Sequence, residues 1–229
     1  IHGIFEGCGN LRKAPVLNCP NVSDADSAFR YCSNIKEVVI EDMSRPDALN
    51  FNNMFQNCTN LRRAIIKNPI SASSFQFAFA GCSNPREVSY IDLSGCSNAG
   101  YLFSSCNSLV YGPEMNTSTL TSFQGMFQGC NNLVSVPDYD ITCGGSGNVN
   151  IGYMFKSSSL ETIPNFDWSS VSFAHEAFYC SASGDISLNL SNLNYSTNTN
   201  ASAASYIFQG CKYLSFKGLT LSESGNYQN

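Results

Sequence analysis

The chain has 229 residues, of which 43% are hydrophobic and only 13% charged, with a formal net charge of −5 and a pI near 4.9. Typical soluble domains carry about 25% charged residues, so this surface has to be built largely from neutral Asn, Ser, Thr and Gly. The acidic balance excludes a general nucleic-acid binder, which needs a basic footprint, and no apolar run approaches the ~18–20 residues of a membrane span.

A repeat runs the length of the chain: an apolar pair ending in Phe, Cys three residues on and Leu three further. Nine copies are centred on Phe5, Phe29, Phe55, Phe79, Phe103, Phe127, Phe155, Phe178 and Phe208, with spacings of 24, 26, 24, 24, 24, 28, 23 and 30 residues. A period of that length indicates stacked units and not one closed core. Counted from Phe127, the residues Leu120, Phe123, Met126 and Cys130 fall at −7, −4, −1 and +3, the stripe of an amphipathic helix. A small or turn-prone residue precedes or follows the Cys (Gly81, Gly129, Asn60, Asn132), which suits a helix that stops there, and then comes a short extended piece such as Ile35–Ile40, Leu133–Pro137 or Leu160–Pro164. The pattern predicts an α/β repeat solenoid with one short parallel strand and one short helix per repeat of about 24 residues.

In chain order, residues 1–18 lack most of the first helix, and the chain starts without Met and inside a repeat, which suggests a fragment or processed form. The regular copies extend to Asn132, interrupted where Pro85 replaces the usual Leu or Ile. Insertions are expected between strand and helix at Cys143–Gly147 and Ser191–Asn200. Around Phe155 the Cys is lost, and Cys180 arrives one residue early after Phe178, so these two copies should deviate most from the regular helix end. One domain is expected over residues 1–221, followed by a polar tail at 222–229.

Eleven cysteines would ordinarily suggest disulfides or zinc. Here Cys8, Cys32, Cys58, Cys82, Cys106, Cys130, Cys180 and Cys211 belong to the repeat, and no C-x-x-C pair occurs. They are expected to be a buried column of free thiols, with Cys19, Cys96 and Cys143 outside it. The two histidines, His2 and His175, lie far apart and support neither a triad nor a zinc site. Asp24/Asp26 and Asp138/Asp140 supply too few oxygens for calcium, and the Gly144–Gly147 stretch lacks the Lys of a phosphate loop. No metal, cofactor or catalytic residue is predicted.

Charge is uneven along the chain. Residues 1–86 carry nine Lys/Arg against seven Asp/Glu, while residues 87–229 carry three against ten. Seven residues after the Phe of successive copies stand Arg12, Lys36, Arg62 and Arg86, which stacking would align as a basic ladder. Val110 and Val134 follow in that column, with Tyr111 beside it. This strip is the candidate binding site, suited to an anionic glycan or a protein partner.

The stretch Met115–Leu133, with Asn165–Phe178, resembles the BspA-like leucine-rich repeats and the related repeat of bacterial and mycoplasma surface lipoproteins, whose unit reads roughly W-d-x-S-x-V-t-x-M-x-x-M-F-x-x-C-x-x-L. The resemblance covers about residues 3–221, departing where Phe or Ala replaces the family's Met and where the Trp is lost from all copies but that holding Trp168. It implies a leucine-rich-repeat-like fold used for adhesion or recognition at a cell surface or outside the cell, with a protein or glycan partner and no catalysis. Two other functions are compatible with the repeat: a structural or host-recognition part of a virion, such as a phage fibre, and a glycan-processing enzyme, which the scattered Asp/Glu argue against.

Overall fold

The computed structural model describes residues 1–43, 49–66, 72–83, 85, 87–88, 91–145, 148–179, 187–189, 205–211 and 213–215. The repeats stack as rungs in parallel register, and their interior is the predicted one. The nine motif phenylalanines form a continuous column with ring centroids 5.1–5.8 Å apart and planes within 28° of parallel. Flanking positions are buried with them, as Phe51, Met54, Cys58 and Leu61 are around Phe55. Seven of the nine phenylalanines are buried and Phe5 and Phe208, at the two ends, partly so; stacked rings combine apolar burial with favourable aromatic geometry.

The backbone carrying these side chains is not the predicted one. The leucine-rich-repeat-like α/β arrangement, with a helix in each repeat, does not form. Among the described residues the only helical segments are the three-residue 3-10 turns Cys143–Gly145 and Trp168–Ser170. Each Phe instead sits in a run of overlapping turns. Around Phe29, the N–H groups of Ala28, Arg30 and Cys32 bond back to the carbonyls of Ala25, Ser27 and Phe29 at 3.0–3.3 Å. The intervening N–H groups of Ser27, Phe29 and Tyr31 leave the rung and bond to Asn52, Met54 and Gln56 of the next at 2.9–3.0 Å.

That alternation requires the residues at −2 and +2 to turn the other way. Ser27 and Tyr31 have φ of 57° and 62°, Asn53 and Asn57 of 54° and 61°, and Gly125 and Gly129 of 58° and 73°. An α-helix has no place for a left-handed residue at every fourth position. The N–H groups a helix would use internally are satisfied instead by the neighbouring rung, which meets the full backbone accounting. In four rungs an Asx residue at −5 sets up the turn: the side chains of Asp24, Asn50, Asn98 and Asn150 accept from the N–H two residues on at 2.9–3.1 Å, the local bond that favours Asx residues in turns.

Parallel pairing is present but spread over more than one short strand per rung. Glu37–Asp42 pairs with Leu17–Asn18 on one side and Arg63–Ile66 on the other, and Arg63–Ile66 pairs with Glu87–Val88. A second series joins Leu49–Asn50 to Ala72–Ser74 and Val149–Asn150 to Val171–Phe173. Single-residue bridges at Asn98 and Ser122 continue it between them. Ile91–Asp92 with Met115–Asn116, and Ser187–Asn189 with Tyr213–Ser215, add two further pairs. The predicted strand Leu133–Pro137 is reduced to a bridge between Ser135 and Tyr111.

The cysteine column has a role beyond filling space. The thiols of Cys32, Cys58, Cys82, Cys106, Cys130 and Cys211 each donate to the carbonyl of the preceding rung's Phe at 3.0–3.2 Å. That carbonyl already accepts from the Cys N–H of its own rung, as Phe29 O does from Cys32 N at 3.0 Å. A small apolar side chain with one weak donor suits the position. Burial pushes the thiols of Cys82 and Cys130 up to about 12, and raises those of Cys58 and Cys106 as well, with help from the neighbouring thiols. Among the described residues no cysteine is in a disulfide, Cys19, Cys96 and Cys143 included, but the column is not buried at its ends as expected: Cys8 is exposed and Cys211 half-buried, each lying on an outer rung.

The copy at Phe155 is more regular than expected. Ser157 has φ 59° and bonds to Tyr179 O at 2.7 Å, and Ser158 N closes the turn on Phe155 O where a Cys would stand. Cys180, the Ser191–Asn200 insertion and the tail after residue 215 lie outside the described residues, as do Ser146 and Gly147 of the first insertion.

Candidate functional site

Parallel stacking puts equal offsets from the Phe side by side, so outward-facing residues form columns. In the +7 column Arg62 N donates to Lys36 O at 2.9 Å, which sets these two exposed side chains on adjacent rungs. Arg12 is exposed on the first rung, and Arg86 lies outside the described residues. Further along, Val134 N bonds to Val110 O at 2.9 Å, and Tyr111 is 68% exposed. The adjoining column alternates in sign and pairs across rungs, Arg63 Nη1 meeting Glu37 Oε2 at 2.8 Å. The basic strip is therefore narrow and bordered by an ion pair.

The acidic pairs are occupied by protein donors. Asp26 Oδ1 accepts from Ser27 Oγ at 2.6 Å and Asn53 Nδ2 at 3.2 Å. Asp24 holds His2 Nδ1 at 3.1 Å, and Asp140 takes both Thr142 N and Thr142 Oγ1. Among the described residues no group of three His, Cys, Asp or Glu side chains converges to hold a metal ion.

A second surface, on the last three rungs, escaped the sequence reading. Tyr153, His175 and Tyr206 meet on successive rungs, with His175 edge-on to both tyrosines at centroid distances of 5.3 and 5.6 Å and planes 82° and 81° apart. Phe173 stands 6.0 Å from His175 and lies over Gly152, where an added Cβ would sit 2.4 Å from the ring. Polar groups run through this aromatic setting. His175 Nδ1 contacts Ser205 Oγ at 2.9 Å, His175 Nε2 contacts Glu176 Oε1 at 3.3 Å, and Lys156 Nζ donates to Glu176 Oε2 at 2.5 Å. The Lys156 ammonium lies over the rings of Tyr153 and Tyr179 at 5.2 and 5.0 Å, a cation–π placement. Its hydrogen bond holds the Glu176 carboxyl below the usual carboxylate range and raises the Lys156 ammonium in turn.

His175 reads as an isolated polar residue in linear sequence, 30 positions from Ser205. Aligning the copies on Phe would have found the surface: Tyr101, Tyr153 and Tyr206 all fall at −2, and Lys156 and Tyr179 at +1. An earlier aromatic pair lies in the same −2 column, Phe77 stacked on Tyr101 at 4.8 Å and 4°.

Fold and surface together define a repeat protein whose interior keeps the motif Phe on every rung and apolar residues beside it, and whose outward columns change from rung to rung. The chain belongs to the family described as "Mycoplasma protein of unknown function, DUF285", whose model matches residues 1–114 and 73–218. No curated protein and no solved structure matches it. Among the described residues no helix is long and apolar enough to cross a membrane.

Proposed function

We propose that the chain is a non-enzymatic recognition or adhesion module of a surface-exposed protein, binding a protein or glycan partner. The observation that carries this reading is the division of labour within each rung. The motif Phe is held constant inside with apolar neighbours and, in most rungs, the Cys, while the outward columns carry Lys36 and Arg62 in one place and Tyr153, His175 and Tyr206 in another. Stacked repeats of this kind offer broad contact surfaces. The resemblance to BspA-like surface repeats points the same way.

A catalytic reading has one feature to address, the line Ser205–His175–Glu176. Ser205 is exposed, so an attacking hydroxyl there would work in open water, without the preorganised donors and excluded solvent that stabilise a developing oxyanion. The contacts are those expected of side chains stacked on adjacent rungs.

The test is an array of glycans and extracellular-matrix proteins probed at two salt concentrations, comparing the wild type with a variant carrying Ala at Arg12, Lys36, Arg62 and Arg86. Salt-sensitive binding lost in the variant places the contact on the basic column. Binding that survives with unchanged salt dependence moves it elsewhere, and binding to nothing on the array overturns the recognition reading.

A further inference from the structure

We infer that the face formed by Tyr153, Phe173, His175, Glu176 and Tyr206 is a subsite for an uncharged saccharide, an inference that builds on the recognition reading. Tyr206 is 62% exposed and Phe173 38% exposed, so large ring surface faces water where apolar groups are costly to leave. A purely apolar ligand does not fit, because it would bury the polar atoms of His175, Glu176 and Lys156 without giving them hydrogen-bond partners. Their side chains are already only 23%, 17% and 29% exposed.

A cationic ligand meets a face whose aromatic cation site is filled from within, since Lys156 lies over both Tyr153 and Tyr179. A polyanion meets the wrong field: Lys156 is neutralised by Glu176, and residues 87–229 carry three Lys/Arg against ten Asp/Glu. The same field disfavours single-stranded nucleic acid, which stacks on aromatic platforms only along a positive groove. What remains is a neutral ligand with an apolar face for the rings and hydroxyls that both donate and accept. A pyranose ring has that chemistry: its C–H face can lie on Tyr206 and Phe173 while its hydroxyls reach Glu176 and Ser205 as acceptors and Lys156 as donor. Ring surface on successive rungs suits a chain of sugars better than a single one.

The experiment titrates the full chain with gluco-, manno- and galacto-configured tetrasaccharides, and in parallel with a sulfated polysaccharide and matrix proteins. Variants are Tyr206→Ala, Phe173→Ala and Tyr206→Phe, with circular dichroism as the check on folding. The expected result is binding of at least one neutral tetrasaccharide that is insensitive to salt. Each Ala variant should weaken it roughly 2- to 10-fold, the size of one aromatic contact, and Tyr206→Phe should retain most of it. Binding of only the sulfated polysaccharide or a matrix protein, unchanged by Tyr206→Ala, leaves the recognition reading standing and overturns this inference. Neutral-sugar binding unaffected by both Ala variants also overturns it, and binding of no probe overturns both.

Discussion

Replacing Gly125 by Ala separates the two backbones that the repeat pattern allows, because they predict effects of opposite sign. In a helix, where Gly125 falls inside the apolar stripe between Phe123 and Met126, Gly to Ala stabilises by about 0.5–1 kcal/mol through lower unfolded-state entropy and better propensity. In the observed turn Gly125 has φ +58°, a region that costs an L-residue about 1–2 kcal/mol. Space adds to the loss: an added Cβ would lie 2.3 Å from Tyr101 Cε1, so the ring has to move. Urea unfolding followed by circular dichroism should show the Ala variant losing at least about 1–2 kcal/mol at unchanged m-value. A Gly125→Ala protein as stable as the wild type, or more so, would refute the turn architecture.

The cysteine column predicts that thiol titration of the denatured chain without reductant detects at least the eight motif thiols, whereas in the native chain exposed Cys8 reacts first and Cys58, Cys82, Cys106 and Cys130 only on unfolding. Near-absence of thiols would mean a bridged scaffold. Burial raises the folded-state values of Cys82 and Cys130 from 9.0 to about 12. Their contribution is therefore fully present below pH 9 and is lost as pH rises towards 12, each thiol steepening the decline by up to about 1.4 kcal/mol per pH unit; flat stability across that window would contradict the buried column. For Glu176 the sign is opposite. Its value is lowered by the Lys156 hydrogen bond, so its contribution is present above the ordinary carboxylate range and lost as pH falls through the lowered value. Carbon-13 NMR titration of the Glu176 carboxyl in wild type and Lys156→Gln should show the midpoint rising in the variant.

The buried residues were legible from sequence, and so was the parallel stacking, because apolar spacing and a fixed period report which side chains face inward. The path of the chain between them was not. Apolar residues at −4, −1, 0 and +3 satisfy a helix and equally a succession of turns that bends every second residue. The warning lay at +2, where Gly7, Asn57, Gly81, Gly129 and Gly210 recur, but such residues also end helices. At −2 the left-handed positions are held by Phe77, Tyr101 and Tyr153 as well as Gly125, and aromatic side chains give no hint of positive φ. What decides the matter is non-local: the N–H of each motif Phe from Phe5 to Phe178 bonds to the next rung, 22–29 residues away. The basic column was readable as like charges at one fixed offset, but the His175 surface needs Ser205 and Tyr153 brought beside it by stacking.

The turn column also sets an electrical direction. In the rungs from Phe5 to Phe155, the N–H groups at −2, 0 and +2 all point to the following rung, and the rung at Phe178 continues with Glu176 N and Phe178 N. Peptide dipoles of about 3.5 D each, aligned in this way, add along the stack as they do along a helix axis. The sense is reversed, however: here the N–H end, the positive one, lies toward the later rungs, whereas an α-helix is positive at its start. The uneven charge along the sequence complements that field, with a net of +2 over residues 1–86 at the carbonyl end and −7 over residues 87–229 toward the N–H end. An insertion or fusion that reversed this distribution would set fixed charge against backbone polarity across the whole column.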